Sequence, residues 1–210
     1  MPEIQAAPFS AEDFRARAAR ETGPFATAYY GDHRFDADAD SYVAPASLRD
    51  AAVLVPVVDR PDAATLLLTQ RHSSLRSHSG QIAFPGGRID ASDASPEEAA
   101  LREAYEEVGL EPGRVEVVGR LPDYLTGSGY RVAPVLGVVR PSFELTLNPH
   151  EVEAAFEVPL AFLMDPANHG RQSRMWQDRE RFFYAMPWRE RFIWGVTAGI
   201  IRTLYERLYA

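Results

Sequence analysis

The chain has 210 residues, 46% of them hydrophobic and 25% charged, which suits one elaborated domain with a core of ordinary size. It holds no cysteine, so disulfides and thiolate metal sites are excluded and any metal falls to carboxylates or histidines. A net charge of −8 argues against a nucleic-acid binder, yet it leaves room for a phosphate substrate whose charge divalent cations neutralise. The opening MPEIQAAPFSAEDF lacks the basic start and apolar run of a signal peptide. The apolar stretch from Ile193 to Ile201 falls well short of the ~20 residues a bilayer span needs. The expected setting is therefore cytoplasmic, with no membrane partner.

In chain order, Ser10 to Arg20 predicts a short helix, capped by Ser10 and weakly apolar at Phe14. Residues 1–48 form an N-terminal arm carrying that helix, and residues 49–210 form the main domain. Ala52 to Val58 and Thr65 to Thr69 predict a hairpin across Asp59-Arg60-Pro61-Asp62. A polar loop, Arg71 to Gly80, leads to a short strand over Gln81 to Phe84 and then to Pro85-Gly86-Gly87. Ser95, Pro96 and Glu98 supply an N-cap, an N1 proline and a capping-box glutamate for a helix running to about Val108, with Gly109 as its stop. Val115 to Leu121 and Val132 to Val139 read as strands around Thr126–Gly129, a pocket lid or a hairpin turn. Val152 to Phe162 reads as a strand followed by a short helix from Pro159. Ser173 to Trp176 and Arg181 to Met186 suggest a hairpin. Trp194 to Leu208 has helical spacing. Strands and helices are interspersed, so the fold class is α+β, an α/β/α sandwich with a mixed sheet.

The helix after Ser95 carries the chemistry. At about 100° per residue, Glu107 and Glu106 lie about 40° and about −60° from Glu103, so the three carboxylates share one face. Leu101, Ala104, Tyr105 and Val108 occupy the other face, expected to pack on a sheet, with Glu106 and Glu107 expected toward solvent. Like charges at this spacing repel, and the helix C-terminal half disfavours anions. A hard dication such as Mg²⁺ would offset both effects. A bare E-x-x-E-E on a helix would otherwise read as a solvated acidic face.

Gly87-Arg88-Ile89-Asp90, the capped start at Ser95, and Arg102-Glu103-Ala104-Tyr105-Glu106-Glu107-Val108-Gly109-Leu110 resemble the Nudix box. The second half matches throughout. The first half departs, with Asp93 where the box has Glu and one extra residue before Arg102. The resemblance implies a mixed sheet between helices with the box as a loop–helix–loop. It also implies Glu103, Glu106 and Glu107 as ligands of Mg²⁺ or Mn²⁺, with Arg102 orienting them. Gly86 and Gly87 let strand pass into loop, and their backbone is expected to approach the substrate phosphate, with a purely steric turn as the alternative for Gly87.

The preceding segment, Leu67-Leu68-Thr69-Gln70-Arg71 and then Leu75 to Gly87, is similar to the coenzyme A pyrophosphatase subfamily, whose box also has an extra residue. Asn148-Pro149-His150-Glu151-Val152 and Trp194-Gly195 to Ala198 share that likeness. It implies a small-molecule substrate, coenzyme A or a derivative, split to 4′-phosphopantetheine and 3′,5′-ADP. Arg71, Arg76 and His78 then become substrate contacts, since arginine binds phosphate bidentately. Each arginine could instead pair with a local carboxylate, and His78 could be structural. The base is Glu103 or Glu151. Hydrolysis of another nucleoside diphosphate derivative, such as ADP-ribose, and a non-catalytic binding module are the rival readings. A homodimer is compatible with the sequence.

Overall fold

The computed structural model describes residues 6–21, 30–35, 48–75, 78–176 and 179–210. The elements, in order, are helix α1 (Ala11–Arg20), strands β1 (Tyr30–Gly31), β2 (Arg49–Val58), β3 (Thr65–Arg71), β4 (Ile82–Ala83) and β5 (Gly86–Arg88), helix α2 (Pro96–Val108), strands β6 (Val115–Arg120), β7 (Tyr124–Leu125), β8 (Tyr130–Val139) and β9 (Val152–Pro159), helix α3 (Leu160–Leu163), strands β10 (Gly170–Trp176), β11 (Arg179–Trp188) and β12 (Arg191–Trp194), and helix α4 (Val196–Leu208). None of the described helices is long and apolar enough to cross a membrane.

Among the described residues nine strands form one mixed sheet, ordered β1-β7-β8-β2-β3-β4, with β5 on β2, β6 on β8 and β9 on β3. β2 is its centre. It pairs in parallel with β8 along its whole length, from Arg49↔Tyr130 to Val58↔Val139. Its side chains alternate between two cores. Val55 and Val57 join Phe14 of α1 and Ile200, Ile201 and Leu204 of α4. Leu54 and Val58 join Ala99, Ala100, Ala104 and Val108 of α2. Burial on both faces explains why the strand reads as an unbroken apolar run rather than an alternating one. The expected α/β/α sandwich with a mixed sheet is what the chain forms. A second antiparallel sheet, β10-β11-β12, widens the expected hairpin by one strand.

Two local expectations are corrected, and one alternative is settled. The last helix starts at Val196, because Ile193 and Trp194 end β12 and Gly195 turns the chain at φ 62°. Thr126–Gly129 is the turn of the β7–β8 hairpin, with Gly129 at φ 81°. On α2, Ala104 and Val108 pack inward as expected, but Tyr105 is 55% exposed, and Ala99 and Ala100 complete the packing face in its place.

Candidate active site

β2 and β3 pair only at Val57↔Leu66 and Val58↔Thr65, then separate. β5 fills the opening by pairing Gly86 with Val53 and Gly87 with Ala52. This glycine strand lies under α2, which Ser95 caps by accepting from the Glu98 N–H, and which Gly109 ends in the left-handed region at φ 69°. A Cβ on Gly87 would lie 2.5 Å from the Glu103 carboxylate. Gly86 donates its N–H to Glu107 Oε2 at 3.2 Å. The two glycines therefore make a floor on which two carboxylates rest. This corrects the placement of Glu107: it is 3% exposed and turned toward the sheet, whereas Glu106 is exposed.

Burial raises both inner carboxyls. Desolvation pushes Glu107 up to about 7, opposed by the Gly86 hydrogen bond and by Arg71. It also raises Glu103, opposed by the Arg102 hydrogen bond. Glu151 adds to the negative potential at both, which places all three in one electrostatic neighbourhood. Glu151 is brought there by the chain after β8. Thr146 donates its N–H to Val108 O and Asn148 to Glu107 O, so the segment is tied to the end of α2. Asn148 Nδ2 then donates to Glu151 Oε1 at 3.2 Å.

Arg102 grips the outer side. Its guanidinium donates to Asp93 Oδ1 and Oδ2, both at 2.9 Å, to Glu103 Oε1 at 3.0 Å, to Glu106 Oε2 at 3.2 Å and to Arg88 O at 3.1 Å. The Asp93 carboxyl is held below its ordinary range, chiefly by Arg102. Asp93, whose position breaks the box spacing, is thus the anchor of Arg102. The sequence carries its signal only as a carboxylate in roughly the expected place. Asn148, which steadies Glu151, carries none beyond lying in the Asn-Pro-His-Glu segment.

Arg71 comes in from β3. Its Nη1 lies 3.6 Å from Glu107 Oε1, and its buried Nε has no hydrogen-bond partner. His78 stands exposed at φ 56° with Nδ1 2.8 Å from Gln81 Oε1, on a turn closed against the Arg71 backbone by Gly80 N–H to Arg71 O and Arg71 N–H to Gln81 O. Arg76 lies outside the described residues.

Among the described residues no three acidic or imidazole side chains converge into a ready coordination shell. The donors nevertheless suit a hard dication. They are carboxylate oxygens, and the desolvated Glu107 has only a loose counter-charge in Arg71.

The NUDIX domain model matches residues 48–186. An uncharacterized Nudix hydrolase, NudL, of Shigella flexneri serotype 5b (strain 8401) is 46% identical over 169 residues, covering 76% of this chain and 83% of its own. NudL of Escherichia coli (strain K12) is 46% identical over 165 residues, covering 74% and 81%. Among solved structures, the NUDIX domain of Shewanella oneidensis NrtR complexed with ADP ribose aligns with a TM-score of 0.50 at 19% identity, over 82% of this chain and 98% of that one. DR0079 from Deinococcus radiodurans aligns with a TM-score of 0.50 at 15% identity, over 79% and 88%. These two likenesses speak for the fold alone. The domain match and the NudL relatives reach the family itself: the chain belongs to the Nudix hydrolases.

Proposed function

We propose that this chain is a coenzyme A diphosphatase, cleaving coenzyme A or a close derivative to 4′-phosphopantetheine and 3′,5′-ADP. Nudix hydrolases generally use divalent metal ions, and here Glu103, Glu106 and Glu107 would hold Mg²⁺ or Mn²⁺. A bound dication supplies charge neutralisation at the pyrophosphate oxygens and makes water a better nucleophile. Water attacks one phosphorus, the bridging P–O bond breaks, and the water proton passes to a carboxylate. Glu151, oriented by Asn148 beside Glu103 and Glu107, is that base. Arg102 keeps Glu103 and Glu106 in place from its anchor on Asp93.

The observation that carries the substrate choice is Arg71. It enters the carboxylate cluster from the segment that resembles the coenzyme A subfamily, and its side chain, 27% exposed and held by Glu107 only at 3.6 Å, can turn guanidinium donors to a phosphate oxygen. The loop bearing His78 adjoins it, which supports a contact to the extra phosphate of coenzyme A. The catalytic unit spans residues 49–210, and α1 of the N-terminal arm braces it through Arg17 Nη1 to Leu208 O at 2.7 Å. The test is turnover of coenzyme A against ADP-ribose with Mg²⁺ or Mn²⁺, products identified by mass. Preference for coenzyme A, with release of 3′,5′-ADP, supports the reading. Preference for ADP-ribose overturns it.

A further inference from the structure

Beside the carboxylate cluster, along the outer side of α2, runs an open groove of about 730 Å³. It starts at Glu106 and Asn148, beside the carboxylates, and extends past Gly109 to the loop after β8. This volume falls in the range of pockets that hold drug-sized ligands. Tyr105, Phe143 and Leu147 give it apolar walls. Tyr105 is exposed there although most large apolar side chains of the described residues are buried.

The charges of the groove decide what it accepts. Glu106, Glu111 and Glu144 line it against Arg114. The C-terminal carbonyl end of α2 adds negative potential at Gly109. Arg60 stands over the Phe143 ring at 5.4 Å, but its charge is matched by Glu157. A phosphorylated nucleotide is repelled by such a wall, while a neutral chain of amides and hydroxyls is not. Ser142 and Thr146 offer hydroxyls to such a chain. Arg71, by contrast, approaches from β3 and meets the buried Glu107.

We infer that the two halves of the substrate part at the pyrophosphate: the phosphorylated nucleotide lies toward Arg71, and the uncharged pantetheine-like arm lies in the groove of Tyr105, Phe143 and Leu147. This inference rests on the proposed reaction and assigns a subsite to the uncharged arm beyond the cleaved pyrophosphate. It makes Tyr105 a specificity residue although it touches none of the reacting atoms.

The experiment compares kcat/KM for coenzyme A with that for an analogue in which a methyl group replaces the pantetheine arm on the same diphosphate. Wild type prefers coenzyme A, and Tyr105→Ala, which alters an exposed side chain, should cut that preference about tenfold, the equivalent of one buried aromatic contact. An unchanged preference overturns the inference. Independently of turnover, D-pantetheine added to the wild-type chain should give saturable NMR shifts at the rings of Tyr105 and Phe143. Shifts elsewhere, or none, overturn the subsite. Failure of wild type to cleave coenzyme A would instead sink the proposed reaction, and the pantetheine titration would still decide the groove.

Discussion

Asp93 and Arg102 face each other as a fork on a carboxylate, with Nε to Oδ1 and Nη2 to Oδ2 both at 2.9 Å. The Asp93 Oδ2 also accepts from the Asp90 N–H at 2.8 Å, so the anchor is itself fixed to the loop. The guanidinium is then free to rotate only as far as this fork allows, and its Nη1 bridges Glu103 and Glu106. Asp93→Asn weakens the fork while keeping its shape. The Mg²⁺ concentration for half-maximal rate should rise about tenfold, the usual effect of losing an outer partner of a metal ligand. A metal titration of kcat reads this, and an unchanged midpoint would leave Asp93 as a loop residue only.

Gly87→Ala tests the glycine floor. The new Cβ meets the Glu103 carboxylate, which must move. A displacement of about 1 Å in a catalytic group can lower the rate about a hundredfold. Gly87 has no left-handed φ to strain, and the atoms nearest the new Cβ are the end of the Glu103 side chain, so the melting temperature should change far less than kcat. Wild-type activity in Gly87→Ala would show that Glu103 does not work from this position.

If Glu106 and Glu107 hold the metal as proposed, Glu106→Gln and Glu107→Gln should each lower turnover by about tenfold or more, but they should differ in stability. Glu107 is buried with its folded pKa raised to about 7, so folding favours its protonated form. That contribution is complete below the ordinary carboxylate range and is lost as pH rises through about 7. The metal-free protein should therefore melt at lower temperature at about pH 8 than at about pH 5, and Glu107→Gln should flatten the slope. Exposed Glu106→Gln should not. Parallel slopes for all three proteins would contradict the buried charge.

His169, whose ring packs edge-on against Tyr184 and Tyr205, gives the opposite sign. Burial lowers its pKa, and Arg202 lowers it further. Its Nε2 donates to Leu163 O at 2.7 Å, while Nδ1 faces Arg202 Nη1 at 3.3 Å. Folding favours the neutral ring, so this contribution is present above the unfolded value of about 6.5 and is lost as pH falls through the lower folded one. Lowering the pH from about 7.5 to about 5 should therefore favour the fold more in His169→Gln than in wild type, where the His169 and Glu107 effects oppose each other, as denaturant melts at the two pH values will read. An equal difference would remove His169 as the cause.

Glu151→Gln should lower kcat about a hundredfold, the contribution of a general base, with the metal midpoint unchanged. A shifted midpoint would make Glu151 a ligand instead.

The carrier helix was legible because its signals are local: a capping serine, an N1 proline and a terminal glycine lie within fourteen residues of one another in sequence, and each does what its type predicts. Strands β5, β7 and β12 were not, since they run two to four residues and owe their pairing to distant partners. The wheel grouped Glu103 and Glu107 correctly but turned Glu107 to water, as charges usually are. Only the missing side chains of Gly86 and Gly87 open room beneath the helix, and that void belongs to β5 crossing under α2. The likeness of residues 67–87 pointed to Arg71, but its approach to Glu107 depends on β3 separating from β2, which no local pattern encodes.

The long parallel pairing of β2 with β8 has a bearing on how the chain is made. Strand β2 leaves the ribosome before the carboxylate helix, and its parallel neighbour follows only after that helix. The helix is thus enclosed in a loop whose ends join late. Parallel pairing between remote segments is slow to form, because the chain must order much of itself before contacts compensate. A nascent chain halted before Tyr130 would carry every residue of the box yet lack the strand beside β2, leaving an apolar edge bare to chaperones or to other unfinished chains.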